Sequence, residues 1–360
     1  MKWIVVVASA TAITLAGCGT NESPSGSPTA TNTQQQTSST PEVTSTIASN
    51  LETPWGLGFL PDGTGIATER DTRKVLSIND SKVTTIGTIP EAHPEGEGGL
   101  LGVAVSPDFA NDRTLFFYFT TNSDNRIAKA TYRDGKLGSL KPIVTGIPSA
   151  FIHNGGRMTF GPDGYLYVGT GDAGEGELAQ TYSSLGGKIL RITKTGSAAP
   201  GNPRTGSRVW SLGHRNVQGL AFDDSGQLWA SEFGQSNSDE LNKIQKGGNY
   251  GWPNVEGKGG GSGYIDPELT WPVSNASPSG LAFANGQLWM ASLRGERLWR
   301  ITLTDGSATD SQDFFVRGYG RLRTVAAAPD RLLWVTTSNH DGRGDPASQD
   351  DRILAVKTTN

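Results

Sequence analysis

Six stretches of this chain repeat one pattern: PWGLGFLPDGTGIATER (54–70), GGLLGVAVSPDFANDRTLFFYFT (98–120), GGRMTFGPDGYLYVGTG (155–171), VQGLAFDDSGQLWASEF (217–233), PSGLAFANGQLWMASL (278–293) and LRTVAAAPDRLLWVTTS (322–338). Each joins a short apolar strand, a Pro-Asp or Asp/Asn-Gly type turn, and a second strand rich in β-branched and aromatic residues. The copies recur at roughly 45 to 60 residues, the period range of propeller blades, and no stretch of comparable length shows a 3.6-residue periodicity. The pattern predicts an all-β domain, a six-bladed β-propeller of four-stranded antiparallel sheets around a channel. A row of separate sandwiches is the alternative, and near-even repetition without linkers argues against it. VTSTIASN (43–50) and RILAVKTT (352–359) both read as strands; pairing them in one blade closes the ring and removes open edges.

The propeller is expected over 43–360. Before it, Lys2 precedes the apolar run WIVVVASATAITLAG, which ends just before Cys18, the only cysteine. A run this short, ending in small residues, predicts a signal peptide over 1–17. LAGC resembles a bacterial lipobox, so Cys18 is the expected lipidation site. The protein is then exported and held by lipid alone on the extracytoplasmic side of the cell membrane. With no second cysteine an intrachain disulfide is impossible. Residues 18–42, almost wholly Ser, Thr, Pro, Gln, Asn and Gly, read as a disordered linker.

A formal net charge of −4 gives no general attraction to nucleic acid, so an anionic ligand needs a local cluster of basic residues. The propeller itself names no function. In this pattern the segments preceding each inner strand lie at one mouth of the channel. His153, Gly155, Arg157, His214, Arg215, Asn216, Arg321 and Arg323 are expected to converge there, and alternation in RLR places Arg321 and Arg323 on one face.

The motifs EGGLLGVAVSPDF (97–109), HNGGR (153–157), LGHRNVQGLAFD (212–223), SEFGQSNSDELNKIQKGGNYGWPNVEG (231–257) and GRLRTVAAAPD (320–330) resemble the soluble quinoprotein glucose dehydrogenase and aldose sugar dehydrogenase family, also called the glucose/sorbosone dehydrogenase family. The resemblance covers 45–357, and 212–257 is its most specific part. It implies a six-bladed propeller that oxidises the C1 hydroxyl of aldoses to lactones with pyrroloquinoline quinone (PQQ) and calcium in the channel mouth.

By that resemblance His153 matches the catalytic base, a job suited to an imidazole whose ordinary pKa is near 6.5. Gly155 and Gly156 let the backbone turn tightly behind it. Arg215, grouped with His153 and Asp172 as catalytic, also matches a cofactor contact beside Asn216. Arg321 and Arg323 match partners of the PQQ carboxylates, which planar guanidinium groups grip through paired hydrogen bonds. The carbonyls of Gly234 and Gln235 match ligands of the cofactor-linked calcium, while Glu240, the Tyr250 carbonyl and Asp239 match a second, structural calcium site. Asp172, in GTGDAG, matches an acid near the substrate and also suits a plain turn.

Two positions depart from the family. Glu97 stands where glucose-oxidising members carry glutamine, and Arg294 where a cofactor-contacting lysine is common. Both are counted with the cofactor contacts, and Glu97 leaves the sugar preference open. A metal-dependent lactonase and a non-catalytic binding propeller remain as rival readings; neither calls for the arginine set. The expected partners are an aldose, an external electron acceptor and no nucleic acid, with the protein a monomer or homodimer.

Overall fold

A computed structural model describes residues 39–358. They form six antiparallel sheets in a closed ring: blade 1 spans 54–88, blade 2 100–147, blade 3 158–212, blade 4 217–271, blade 5 278–314, and blade 6 joins 322–357 to 42–48. The predicted propeller is what forms. Each blade has four strands, and blade 2 adds the two-residue strand Lys136–Leu137 beside its third. Among the described residues helix is confined to the single turns Phe109–Asp112 and Glu177–Gln180.

Burial follows strand position. Middle strands are covered on both faces and need not alternate: in Thr114–Thr120 all but the first residue are buried, with Phe116, Phe117, Tyr118 and Phe119 at most 1% exposed. Outer strands such as Ser307–Phe314 are mostly solvent-facing. Apolar side chains gather into six clusters, one at each blade-to-blade interface; Ile66, Leu100 and Phe117 fill the first, for example, and Ala221, Trp229 and Leu281 the fourth.

The ring closes as the sequence suggests. Strand Glu42–Ala48 pairs antiparallel with Ile353–Lys357, Val43 opposite Val356 and Ala48 opposite Ile353. The sequence boundary of the linker, however, falls too late. Ser39 Oγ donates to the Thr358 carbonyl (2.7 Å), the Ser39 carbonyl accepts from Arg300 Nη1 (2.8 Å), and the strand begins at Glu42. Polar composition suggested linker there, but an unpaired strand edge captures any backbone. Cys18, the expected signal peptide and the rest of the expected linker lie outside the described residues. No helix among the described residues is long and apolar enough to cross a membrane.

Two features of the topology position the site. In an antiparallel blade, the loop joining strands two and three opens on the same face as the segment leading into strand one, so both kinds of loop gather at one mouth of the channel. At the throat, the inner strands approach so closely that four carry glycine where they touch the next blade. A Cβ on Gly102 would meet the Gly156 carbonyl at 2.0 Å, and one on Gly219 the Ser279 carbonyl at 2.4 Å. At the corresponding place blade 3 carries Arg157. Its guanidinium crosses the channel, with Nε donating to the Gln218 carbonyl (2.7 Å), Nη2 to Thr324 Oγ1 (3.0 Å), and the plane lying over Trp55 at 4.3 Å. Arg157, expected at the mouth, therefore plugs the throat. Burial, with Arg323 nearby, pushes its pKa down to about 9.

Candidate active site

His153 sits where the segment entering blade 3 turns towards its inner strand. Its φ of +57° lies in the left-handed region, uncommon for a residue with a Cβ, and Gly155 (+65°) and Gly156 (+112°) continue the turn. No Cβ fits at Gly155, where it would lie 2.6 Å from Gly171 N. The turn seats the ring against the strand-two-to-three loop of the same blade, and His153 Nδ1 lies 2.7 Å from Asp172 Oδ1. Asp172 also accepts from Gly174 N (2.8 Å) and, on Oδ2, from Trp252 Nε1 (2.8 Å). Burial alone would raise its pKa; the His153 hydrogen bond and charge, with those from Gly174 and Trp252, hold it below the usual range. Asp172 thus does more than shape a turn: it fixes the imidazole.

The neighbouring elements are tied to this pair. Glu97 Oε2 accepts from His153 N (3.0 Å), Asn216 Oδ1 from Gly155 N (3.0 Å), and Asp172 N donates to the Arg215 carbonyl (2.8 Å). Arg215 lies over Trp252 (5.3 Å) and donates from Nη1 to the Phe233 carbonyl. Two buried donors here, Arg215 Nε and Asn216 Nδ2, have no partner among the described residues. Orphaned buried donors are costly, and they mark where a ligand's acceptors belong.

Beside this network is a cavity of about 250 Å³ lined by Arg70, Arg321, Arg323 and Arg343 against only two carboxylates, Glu97 and Asp341. Arg321 and Arg323 do share a face, with Leu322 turned into the core between them, and both reach Asp341 Oδ2 (2.9 and 3.1 Å). Burial lowers Arg323 to about 10. The charge of Glu97, the departure from glutamine, is met by Arg343 Nη1 on Oε1 (2.9 Å). Phe151, 62% exposed, lies at the rim over Gly96. Exposed Arg294 does not line this cavity; it faces an adjoining one of about 380 Å³, shared with Phe233, Leu293, Arg321 and Arg343.

The residues expected to hold metal separate into two groups. In the strand-two-to-three loop of blade 4, the N–H groups of 235–238 all point to Glu256 Oε1 (2.7–3.2 Å), and among the described residues no donor reaches the Gly234 or Gln235 carbonyls. Asp239 and Glu240 begin a strand and so point to opposite faces: Asp239 accepts from Gly234 N (2.9 Å) and Ser277 N, Glu240 from Gly257 N (2.7 Å) and Asn242 Nδ2 (3.0 Å). Burial pushes Asp239 up to about 6, and burial with Glu232 nearby pushes Glu240 up to about 8. Tyr250 stacks on His214 (4.7 Å), and its hydroxyl donates to the Lys243 carbonyl. His214 turns into the wall, between Glu232 Oε1 and Ser211 Oγ (2.8 Å each). Among the described residues no three His, Cys, Asp or Glu side chains cluster to hold a metal, so a hard cation here would lean on backbone carbonyls.

Sequence reasoning missed Asp341, Arg343, Arg70, Gln218, Trp252 and Glu256. Asp341, Arg343 and Arg70 had a usable signal, because their loops follow the second strand of a blade, as the Asp172 loop does.

The family model for glucose/sorbosone dehydrogenase matches residues 51–346. Quinoprotein glucose dehydrogenase B of Acinetobacter calcoaceticus is 36% identical over 61% of this chain and 54% of its own length, so the match spans about half of that relative. Aldose sugar dehydrogenase YliI of Escherichia coli is 28% identical over 82% of this chain and 90% of its own. The structure is similar to the PQQ-bound form of aldose sugar dehydrogenase from Streptomyces coelicolor, with 52% identity, a TM-score of 0.87 and coverage of 88% of this chain and 98% of that one.

Proposed function

The chain belongs to the glucose/sorbosone dehydrogenase family, and from that premise we propose that it oxidises the C1 hydroxyl of aldose sugars to lactones, using PQQ and calcium. The observation that carries the reading is a cavity with four guanidinium groups and two carboxylates next to a buried His-Asp pair. Such an excess of fixed cations suits a polyanion, and PQQ is a tricarboxylate.

The residues present fit that cofactor. Arg321 and Arg323 offer guanidinium groups to its carboxylates, and Arg215 Nε and Asn216 Nδ2 are buried donors still lacking acceptors. Bound there, PQQ would supply a quinone able to accept a hydride from the sugar's C1. A calcium ion on the Gly234 and Gln235 carbonyls would polarise the quinone oxygen.

The chain's own work is proton removal and orientation. All three hydrogen atoms facing Asp172 are donated to it when Nδ1 carries the His153 proton, so the carboxylate holds the tautomer in which Nε2 has a free lone pair. Nε2 then takes the proton of the C1 hydroxyl. Asp172 stabilises the resulting imidazolium without being protonated itself. Glu97 anchors the backbone of His153, and Arg343 neutralises Glu97, which permits an acid close to a reacting hydroxyl. The same reading includes export and a lipid anchor at Cys18, with an external acceptor removing the electrons.

Adding PQQ and calcium to the purified protein and following quinone absorbance, then dye reduction with a panel of aldoses, tests this. Saturable PQQ binding and aldose-dependent reduction are expected. No PQQ binding would reject the dehydrogenase reading, and binding without turnover on any aldose would reject the substrate class.

A further inference from the structure

One carboxylate in the upper loops has no place in the chemistry above, although five hydrogen bonds converge on it. Glu256 belongs to the connection 244–268, which climbs from the third strand of blade 4 to the mouth and also carries Trp252 to Asp172. Its Oε1 accepts from Gln235 N (2.7 Å), Ser236 N (2.9 Å), Asn237 N (3.0 Å) and Ser238 N (3.2 Å), and Oε2 accepts from Asn237 Nδ2 (3.1 Å). Successive N–H groups converging on one anion form a nest. Here the anion is part of the protein.

A trans peptide is planar, with its C=O directed opposite to its N–H. The Gln235 N–H shares a peptide with the Gly234 carbonyl, and the Ser236 N–H shares one with the Gln235 carbonyl. Drawing those two N–H groups onto Glu256 therefore turns those two carbonyls away from it. They are the pair named as ligands for the cofactor-linked cation, and among the described residues no donor reaches either. Gly234 completes the fit, since a Cβ there would lie 2.7 Å from Glu256 Oε1 and 2.0 Å from the Ser238 carbonyl.

We propose that Glu256 is the positioning residue of the cation site: by gathering the N–H groups of 235–238 it presents the Gly234 and Gln235 carbonyls to a hard divalent cation. Glu256 does not ligate the cation itself. The inference rests on the cation assignment made under Proposed function, and the test separates the two.

Calcium is titrated by calorimetry into metal-free wild type, Glu256→Gln and Glu256→Ala, with amide hydrogen exchange followed at 235–238. The amide oxygen of Glu256→Gln still accepts from the nest, so this variant keeps the loop conformation while losing the charge. The expected order of affinity is wild type, then Glu256→Gln, then Glu256→Ala, the last weaker than wild type by roughly tenfold or more. Exchange at 235–238 should quicken only in Glu256→Ala. Equal affinity in wild type and Glu256→Ala would overturn the proposal. So would Glu256→Gln as weak as Glu256→Ala with its amides still protected, because charge alone would then be responsible. If wild type itself takes up no calcium, the cation assignment falls and the proposal with it.

Discussion

Replacing Asp172 with asparagine is the sharpest perturbation of the proposed base, because it changes one atom in a site where every neighbour is a donor. Asp172 is 1% exposed and accepts from His153 Nδ1, Gly174 N and Trp252 Nε1 at 2.7–2.8 Å. An amide has one oxygen and one NH2 in the same space. If the NH2 replaces Oδ2, it faces the indole N–H, and a buried donor is orphaned. If it replaces Oδ1, it faces the Gly174 N–H and also the imidazole, which then satisfies it only by moving its proton to Nε2, the atom proposed to accept from the sugar. The first orientation loses one hydrogen bond, costing about 1–3 kcal/mol of stability. The second adds the wrong tautomer. Turnover should therefore fall by on the order of 10² to 10⁴. Histidine 15N chemical shifts would report the tautomer directly, and dye-linked turnover at saturating aldose the rate. PQQ affinity should be unchanged, and His153→Ala should lower turnover at least about a hundredfold without loss of PQQ. Asp172→Asn turning over within a few-fold of wild type, with Nε2 protonated, would refute the argument.

Arg323→Ala should weaken PQQ binding by roughly thirty- to several-thousandfold, equivalent to about 2–5 kcal/mol, with turnover partly restored at high PQQ; quinone absorbance titration measures it, and unchanged affinity would remove Arg323 from the cofactor site. Asp341 keeps its partner Arg321 in that variant, so the fold should persist. Deleting 39–48 strips the outer strand from blade 6 and exposes the edge of Ile353–Lys357. Losing about 3–5 kcal/mol of ladder bonding and packing should lower the melting midpoint by roughly 4–8 °C, and an unchanged melt would contradict the closure. If Cys18 carries lipid, Cys18→Ser should shift the protein from membrane to soluble fractions on immunoblotting; retention in the membrane would contradict the anchor.

The ring was legible because its instructions are local. A hairpin repeated six times with apolar strands and Asp/Asn-Gly turns encodes each blade within a few dozen residues, and VTSTIASN advertised itself as a spare strand. His153 and Asp172 were legible as separate residues, but the bond between them is a product of the turn through Gly155. The clamp on Glu97 was not legible, because Arg343 lies 246 residues away and only the closed ring brings the two together. Asp341 and Glu256 read as ordinary acids in solvated loops until arginines or backbone N–H groups are seen around them. Asp239 and Glu240 were matched to one calcium site by the family resemblance; what the motif match does not carry is that strand alternation turns their side chains to opposite faces and to separate partners.

Arg157 at the throat makes the channel a blind well. Whatever delivers electrons to the site and whatever carries them off must pass through the same opening, one after the other. With PQQ bound as proposed, a two-substrate oxidation would have to run in order: the first product would depart before the oxidant enters. Initial rates measured against aldose at several acceptor concentrations should then give parallel reciprocal plots. A surplus of sugar lingering in the well should slow the second visitor, so that the enzyme is inhibited by its own substrate, and opening the throat from below is the one structural change that would let the two traffic streams part.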